Sequence, residues 1–132
     1  MTNKLELYKC EICGNIVQIM HSGVGELICC DETMKFMPLN VNKEEKGEFH
    51  IPVIINENKK EFVQVGKTFH PMTNDHHIEF IQIISECGKK ILLHFLDTND
   101  VPKIEINCND FGNYTMKELC NIHGLWENKK NN

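Results

Sequence analysis

The sequence contains no apolar run approaching the roughly 18 residues that a membrane-spanning helix needs. Its first residues, Met1-Thr2-Asn3-Lys4-Leu5-Glu6-Leu7, lack the apolar core of a secretory signal. These two absences predict a cytoplasmic protein with no membrane partner. A basic stripe with interleaved aromatics is also missing, and the net charge is −5, so nucleic acid is not an expected partner. The Lys129-Lys130 pair is too short to reverse that. No long stretch has helical periodicity, and there is no internal repeat or low-complexity segment, which leaves strands to build the fold.

What is present is the composition of a globular chain: 132 residues, 41% hydrophobic and 25% charged. That length fits one domain, or a small knuckle followed by a domain of about 90 residues. Seven cysteines are an odd number, and in a reducing compartment they favour metal ligation over disulfides.

Residues 1–37 hold four of those cysteines and little core material. Leu5-Glu6-Leu7-Tyr8 and Ile16-Val17-Gln18-Ile19 are short candidate strands, with Gly14, Gly23 and Gly25 in turns. So small a unit needs a metal to be stable. Pro38 and Asn42-Lys43-Glu44-Glu45-Lys46-Gly47 read as a linker. In residues 38–132 the pattern has period two. Lys103–Cys108 alternates with Ile104, Ile106 and Cys108 on one face. Glu61–Val65 and Lys90–Leu96 read as further strands, as does His77–Ile84 by its β-branched content though it alternates less cleanly, with turns at Asn56–Lys59, Glu86–Lys89 and Asp97–Asp100. Short strands at this spacing predict an all-β chain: a metal knuckle followed by a β-sandwich. Thr115-x-x-Glu118 is the one helical signal, a capping box opening a single turn before Cys120.

Two metal sites of different design are expected. Cys10-x2-Cys13 followed by Gly14 is a metal knuckle, and Cys29-Cys30 adds two sulfurs for a tetrahedral all-thiolate site suited to iron or zinc. Neighbouring side chains normally diverge, so the adjacent pair is expected to distort the tetrahedron. The second set is His50, His70 and His76, in strand-like or turn-like settings, with Cys120 and His123, which share a C-x2-H turn. Four imidazoles around an iron with one axial thiolate make a square pyramid with its sixth position open. His21, His77 and His94 are read as ordinary histidines, and Cys87 and Cys108 as packing residues.

The Cys10-x2-Cys13…Cys29-Cys30 head resembles desulforedoxin. His50-x-Pro52-Val53-Ile54, His70-Pro71-Met72-x3-His76-x-Ile78-Glu79 and Cys120-Asn121-x-His123-Gly124-x-Trp126 resemble the catalytic domain of superoxide reductases. Together they resemble the desulfoferrodoxin family of two-iron superoxide reductases. The resemblance implies an immunoglobulin-like β-sandwich, an Fe(Cys)4 centre and an Fe(His)4Cys centre, and a cytoplasmic homodimer. It implies reduction of superoxide to hydrogen peroxide without dioxygen, with electrons from a rubredoxin-like carrier. It makes His50, His70, His76 and His123 equatorial ligands, Cys120 the axial one, and Glu48 the group that closes the sixth position in the oxidised state. The rival reading is a non-catalytic electron carrier or metal-binding module.

One departure bears on catalysis. The family's triplet before the first histidine ligand is Glu-Lys-His, and here it is Glu48-Phe49-His50. Superoxide is an anion, so a nearby cation would raise its association rate. Lys46 and Lys67 are the two lysines close enough in sequence to the ligands to replace the missing charge.

Overall fold

The computed structural model describes residues 1–40 and 47–130, the Cys108 side chain excepted. The chain divides into two compact units, Met1–Pro38 and Leu39–Asn132. Among the described residues no helix is long and apolar enough to cross a membrane.

The first unit has five short strands: β1 (Leu7–Lys9), β2 (Ile16–Gln18), β3 (Ile28–Cys29), β4 (Glu32–Thr33) and β5 (Lys35–Phe36). Three form a sheet in the order β2-β1-β5, and β3 and β4 form a hairpin. Its buried apolar residues are Leu7, Cys10, Ile19 and Met34. A core of that size cannot offset the entropy of ordering the chain, which is why the four sulfurs matter to its stability.

The second unit runs β6 (Leu39–Asn40), α1 (Gly47–His50), β7 (Pro52–Glu57), β8 (Lys60–Val65), β9 (Ile78–Ser85), β10 (Ile91–Phe95), β11 (Lys103–Ile106), α2 (Cys108–Phe111), β12 (Tyr114–Cys120) and β13 (Gly124–Lys130). A five-stranded sheet, β10-β9-β12-β13-β6, faces a three-stranded one, β11-β8-β7. Val63 and Val65 from β8 and Ile104 and Ile106 from β11 meet Ile81 and Ile83 from β9 and Tyr114 and Met116 from β12 in one core. The fold is the expected β-sandwich, built by period-two burial from both inner faces.

Strand β9 explains its own weak alternation. It lies between β10 and β12, and Phe80, Gln82 and Ile84 are buried along with Ile81 and Ile83. A strand covered on both faces has no polar face to write into its sequence.

Three expectations are corrected. Thr115-x-x-Glu118 does not open a helical turn: both residues lie inside β12, with Thr115 opposite Ile84 and Lys129. Tyr114, Met116 and Cys120 all reach the core at period two, and their ladders to β9 and β13 outweigh one local cap. Cys87 is not a packing residue: it is exposed in the β9–β10 turn, which Gly88 closes at φ 74°. His50, read as strand-like or turn-like, ends the single helical turn α1. Most of the linker, including Lys46, and the Cys108 side chain lie outside the described residues.

Candidate metal centres

In the first unit the backbone aims four sulfurs at one point. Cys10, Cys13, Cys29 and Cys30 place their Sγ atoms within 4.8 Å of one another. The knuckle closes by Gly14 N–H donating to the Cys10 carbonyl at 2.9 Å, with Gly14 at φ 87°. Convergence of the adjacent pair has a specific cause. Cys29 ends β3, and Cys30 and Asp31 form the two-residue hairpin turn with φ 53° and 62°. Two successive left-handed residues belong to the type I′ hairpin turn, and they swing Cys30 away from the divergence of an extended chain.

The sulfurs behave as a metal donor set. The Cys13 amide, chiefly, brings the Cys10 thiol down to about 7. Neighbouring Cys13 and Cys10 push Cys30 up to about 12. One thiol ionises readily, and mutual interaction holds another protonated until a cation enters. Cys13 and Cys30 are exposed while Cys10 is buried, so one side of this centre faces solvent.

The second centre is assembled from four places in the sandwich. α1 supplies His50, the segment after β8 supplies His70 and His76, the end of β12 supplies Cys120, and the β12–β13 turn supplies His123. His50, His70, His76 and Cys120 bring one ligand atom each within 4.8 Å of the others. His123 joins them, its Nδ1 3.1 Å from His50 Nε2 and 3.7 Å from Cys120 Sγ. Around the ring, centroids are 4.6 Å apart for His50–His70, 4.5 Å for His70–His76, 4.9 Å for His76–His123 and 4.8 Å for His123–His50. The diagonal His50–His76 is longer, 6.1 Å. Neighbouring rings stand steeply to one another, at 73° to 83°. Four imidazoles therefore occupy the corners of a square.

Ring nitrogens are assigned by their outer partners. His70 Nδ1 meets the Pro71 carbonyl at 2.7 Å, which fixes the proton there and turns Nε2 inward. His70 Nε2 and His50 Nε2 lie 3.0 Å apart. His76 Nε2 is buried with no hydrogen-bond partner. Burial, helped by the charges of three neighbouring imidazoles, takes His70 down to about 4 even though the Pro71 carbonyl accepts from its ring N–H, so it is neutral at physiological pH. Imidazole nitrogens crowded this closely, one of them orphaned, fit a shared cation.

Cys120 is 1% exposed and lies on the core side of the group. A bulge in β9 aids this, because Leu119 pairs with Phe80 but Cys120 pairs with Ile78. Burial raises the thiol, and the amide of His123 donates to its sulfur at 3.4 Å. Two residues earlier, Glu118 is fully buried, and burial pushes its carboxyl well above the ordinary range.

Glu48 and Lys67 fall outside the ligand set; in sequence Glu48 precedes His50 by two residues and Lys67 precedes His70 by three. Lys67 N–H donates to the Glu48 carbonyl at 2.9 Å. Both line a cleft of about 370 Å³ with Gly47, Ile51, Val53 and Asn128. Phe49, at the position of the family's lysine, is 40% exposed. His21, His77 and His94 are not gathered into either cluster.

Sequence reasoning gave no role to Asn121 and Trp126. The indole of Trp126 stacks on His50 with centroids 4.9 Å apart and planes at 23°. Its Nε1–H donates to the His123 carbonyl at 3.2 Å. Both residues lie inside the Cys120–Trp126 motif, which was the only sequence signal for them.

Residues 2–37 match the family described as desulfoferrodoxin, N-terminal domain, and residues 41–129 match the family described as desulfoferrodoxin. The chain belongs to the desulfoferrodoxin family. A desulfoferrodoxin homolog of Archaeoglobus fulgidus is 41% identical over 128 residues, 96% of this chain and 98% of that protein. A protein of Pyrococcus furiosus named superoxide reductase is 31% identical over 109 residues, 64% of this chain and 88% of that one. The crystal structure of the superoxide reductase from Treponema pallidum has the same fold, with a TM-score of 0.68 at 24% identity, covering 97% of this chain and 99% of that chain. The two matched regions each hold one of two centres of unlike chemistry: four cysteines in residues 2–37, and four histidines with one cysteine in residues 41–129.

Proposed function

We propose that this protein reduces superoxide to hydrogen peroxide at the (His)4Cys centre, taking up one electron and two protons per superoxide and forming no dioxygen. The observation that carries the reading is the square of imidazoles set over a buried thiolate. A structural site needs no such arrangement, because four ligands close a tetrahedron and leave nothing for a substrate. Superoxide as substrate is supported by the names of the Pyrococcus furiosus and Treponema pallidum relatives.

Iron held by His50, His70, His76, His123 and Cys120 would supply the electron by cycling between its ferrous and ferric forms. The remaining work falls to the chain. Buried Cys120 fills the core side, so the substrate must approach from the opposite side. Desolvation keeps His70 neutral and available as a nitrogen donor. The Glu48 turn is tied to Lys67 by a backbone hydrogen bond, and the Glu48 carboxylate would serve as a further oxygen ligand for that iron when it is oxidised. Lys67 supplies the positive charge that Phe49 does not, drawing the anion toward the shared cleft. Lys46, the other candidate, lies outside the described residues.

Electrons are proposed to come from a rubredoxin-like small carrier, a reading supported by the exposed sulfurs of Cys13 and Cys30. A homodimer is supported by the row Ile91, Leu93 and Phe95, all exposed on the edge strand β10. The cytoplasm fits the six described cysteines, all of them free thiols. Mixing the reduced, iron-loaded protein with superoxide under anaerobic conditions tests the reaction. Superoxide should vanish in step with oxidation of the second centre; disappearance no faster than in buffer would defeat the reading.

A further inference from the structure

The four imidazoles come from segments far apart in sequence, so something must hold those segments in register. Three hydrogen bonds converge on one residue. Asn121 Oδ1 accepts from the His77 N–H at 2.9 Å. Its Nδ2 donates to the Asp75 carbonyl at 3.0 Å. Its backbone N–H donates to the His77 carbonyl at 3.1 Å. These contacts bracket His76 on both sides. They join its loop to the turn in which Asn121 follows Cys120 directly and precedes His123 by two residues.

The loop is braced from within at the same point. Thr73 Oγ1 accepts from the His76 N–H at 3.1 Å and donates to the His76 carbonyl at 3.2 Å. Thr73 N–H donates to that carbonyl at 2.9 Å. The backbone of His76 is thus fixed within its loop by Thr73, and the loop is fixed to the other ligands by Asn121. The remaining freedom is rotation of the His76 ring, whose buried Nε2 has no hydrogen-bond partner of its own. His70, by contrast, is oriented through its own ring by the Pro71 carbonyl.

We propose that Asn121 is a positioning residue of the (His)4Cys centre: it clamps the Thr73–His77 loop to the Cys120–His123 turn and so sets where His76 Nε2 stands. The inference rests on the reading that this centre holds iron, but not on the reaction it performs. Loss of the side-chain clamp leaves the five ligands in the chain while letting one corner of the square drift. Outer partners of metal ligands typically contribute 10- to 100-fold to metal affinity.

The test is iron release from the full-length protein to a chelator, followed at the thiolate-to-iron charge-transfer band of the second centre. Parent, Asn121→Ala, His76→Ala and the double variant are compared. Asn121→Ala should release this iron about 10- to 100-fold faster than the parent. In the His76→Ala background the same change should add less than about twofold, since the clamp acts through a ligand already gone. Asn121→Ser, too short to reach both Asp75 and His77, replaces the alanine variant if that one does not fold. Release at the parent rate, or an equal acceleration with and without His76, overturns the proposal. Protein that shows the predicted release pattern yet leaves superoxide untouched would sink the proposed reaction while supporting the clamp.

Discussion

A Cβ placed on Gly66 would stand 2.5 Å from the carbonyl oxygen of Phe49 and 2.7 Å from its carbonyl carbon. Gly66 is also held at φ 79°, where side chains are strained. The bend after β8 therefore receives the α1 turn at closest backbone approach, and that turn carries His50. Gly66→Ala should lower stability by about 3 kcal/mol or more and reduce iron occupancy of the second centre. Gly88, at φ 74° with nothing within 4 Å of a Cβ, is the control, and its alanine variant should lose only about 1–2 kcal/mol. Thermal melts and iron analysis of both variants check this; equal losses would mean that the close contact carries no weight.

Changing Cys10 or Cys29 to Ser should remove the first metal and loosen the Met1–Pro38 unit. Superoxide reduction should survive largely intact, because the two ligand sets belong to different compact units. Iron content, proteolysis of the head and the superoxide rate measure the three parts separately. Abolished activity with a fully loaded second centre would place the head on the catalytic route.

Cys120→Ser should abolish the thiolate charge-transfer band. It should also slow superoxide reduction by more than about 100-fold, beyond the range seen for outer partners of metal ligands. A variant that keeps the band would show that Cys120 is not the ligand, and Cys108 would become the candidate.

Lys67→Ala should slow association with superoxide about two- to threefold at low salt, the effect of one solvated charge on an anion in water. The dependence on ionic strength should flatten, and Lys67→Arg should restore both. Lys46→Ala and Phe49→Lys are measured alongside. An unchanged rate and salt slope in Lys67→Ala would remove it from the account, and a loss in Lys46→Ala would transfer the role there. A large gain in Phe49→Lys with no loss in either alanine variant would mean that the protein runs without a steering charge.

Both donor sets were legible in the sequence because sulfur and imidazole chemistry belongs to the residues themselves. The one-sided strands were legible because period two records a core on one side and water on the other, as in Lys103–Ile106. Where those conditions fail, alternation stops reporting the fold, and β9 was legible as a strand only by its β-branched residues. Strand β9 is covered on both faces, and the Thr115–Glu118 cap lost to ladders with β9 and β13. The convergence of Cys29 and Cys30 depends on the left-handed φ of Cys30 and Asp31, a backbone choice that neither residue type demands. The clamp at Asn121 reaches His77 across 44 positions, and stacking of Trp126 on His50 joins residues still more remote in sequence. Such contacts exist only once the sheets have brought the segments together.

The most direct test of the central claim is the product ratio. Iron-loaded, fully reduced protein is mixed in excess with a known amount of superoxide, and hydrogen peroxide and dioxygen are both measured. Reduction predicts one hydrogen peroxide for every superoxide consumed and no dioxygen. Half that yield of peroxide, with dioxygen released, would mean dismutation and would contradict the account.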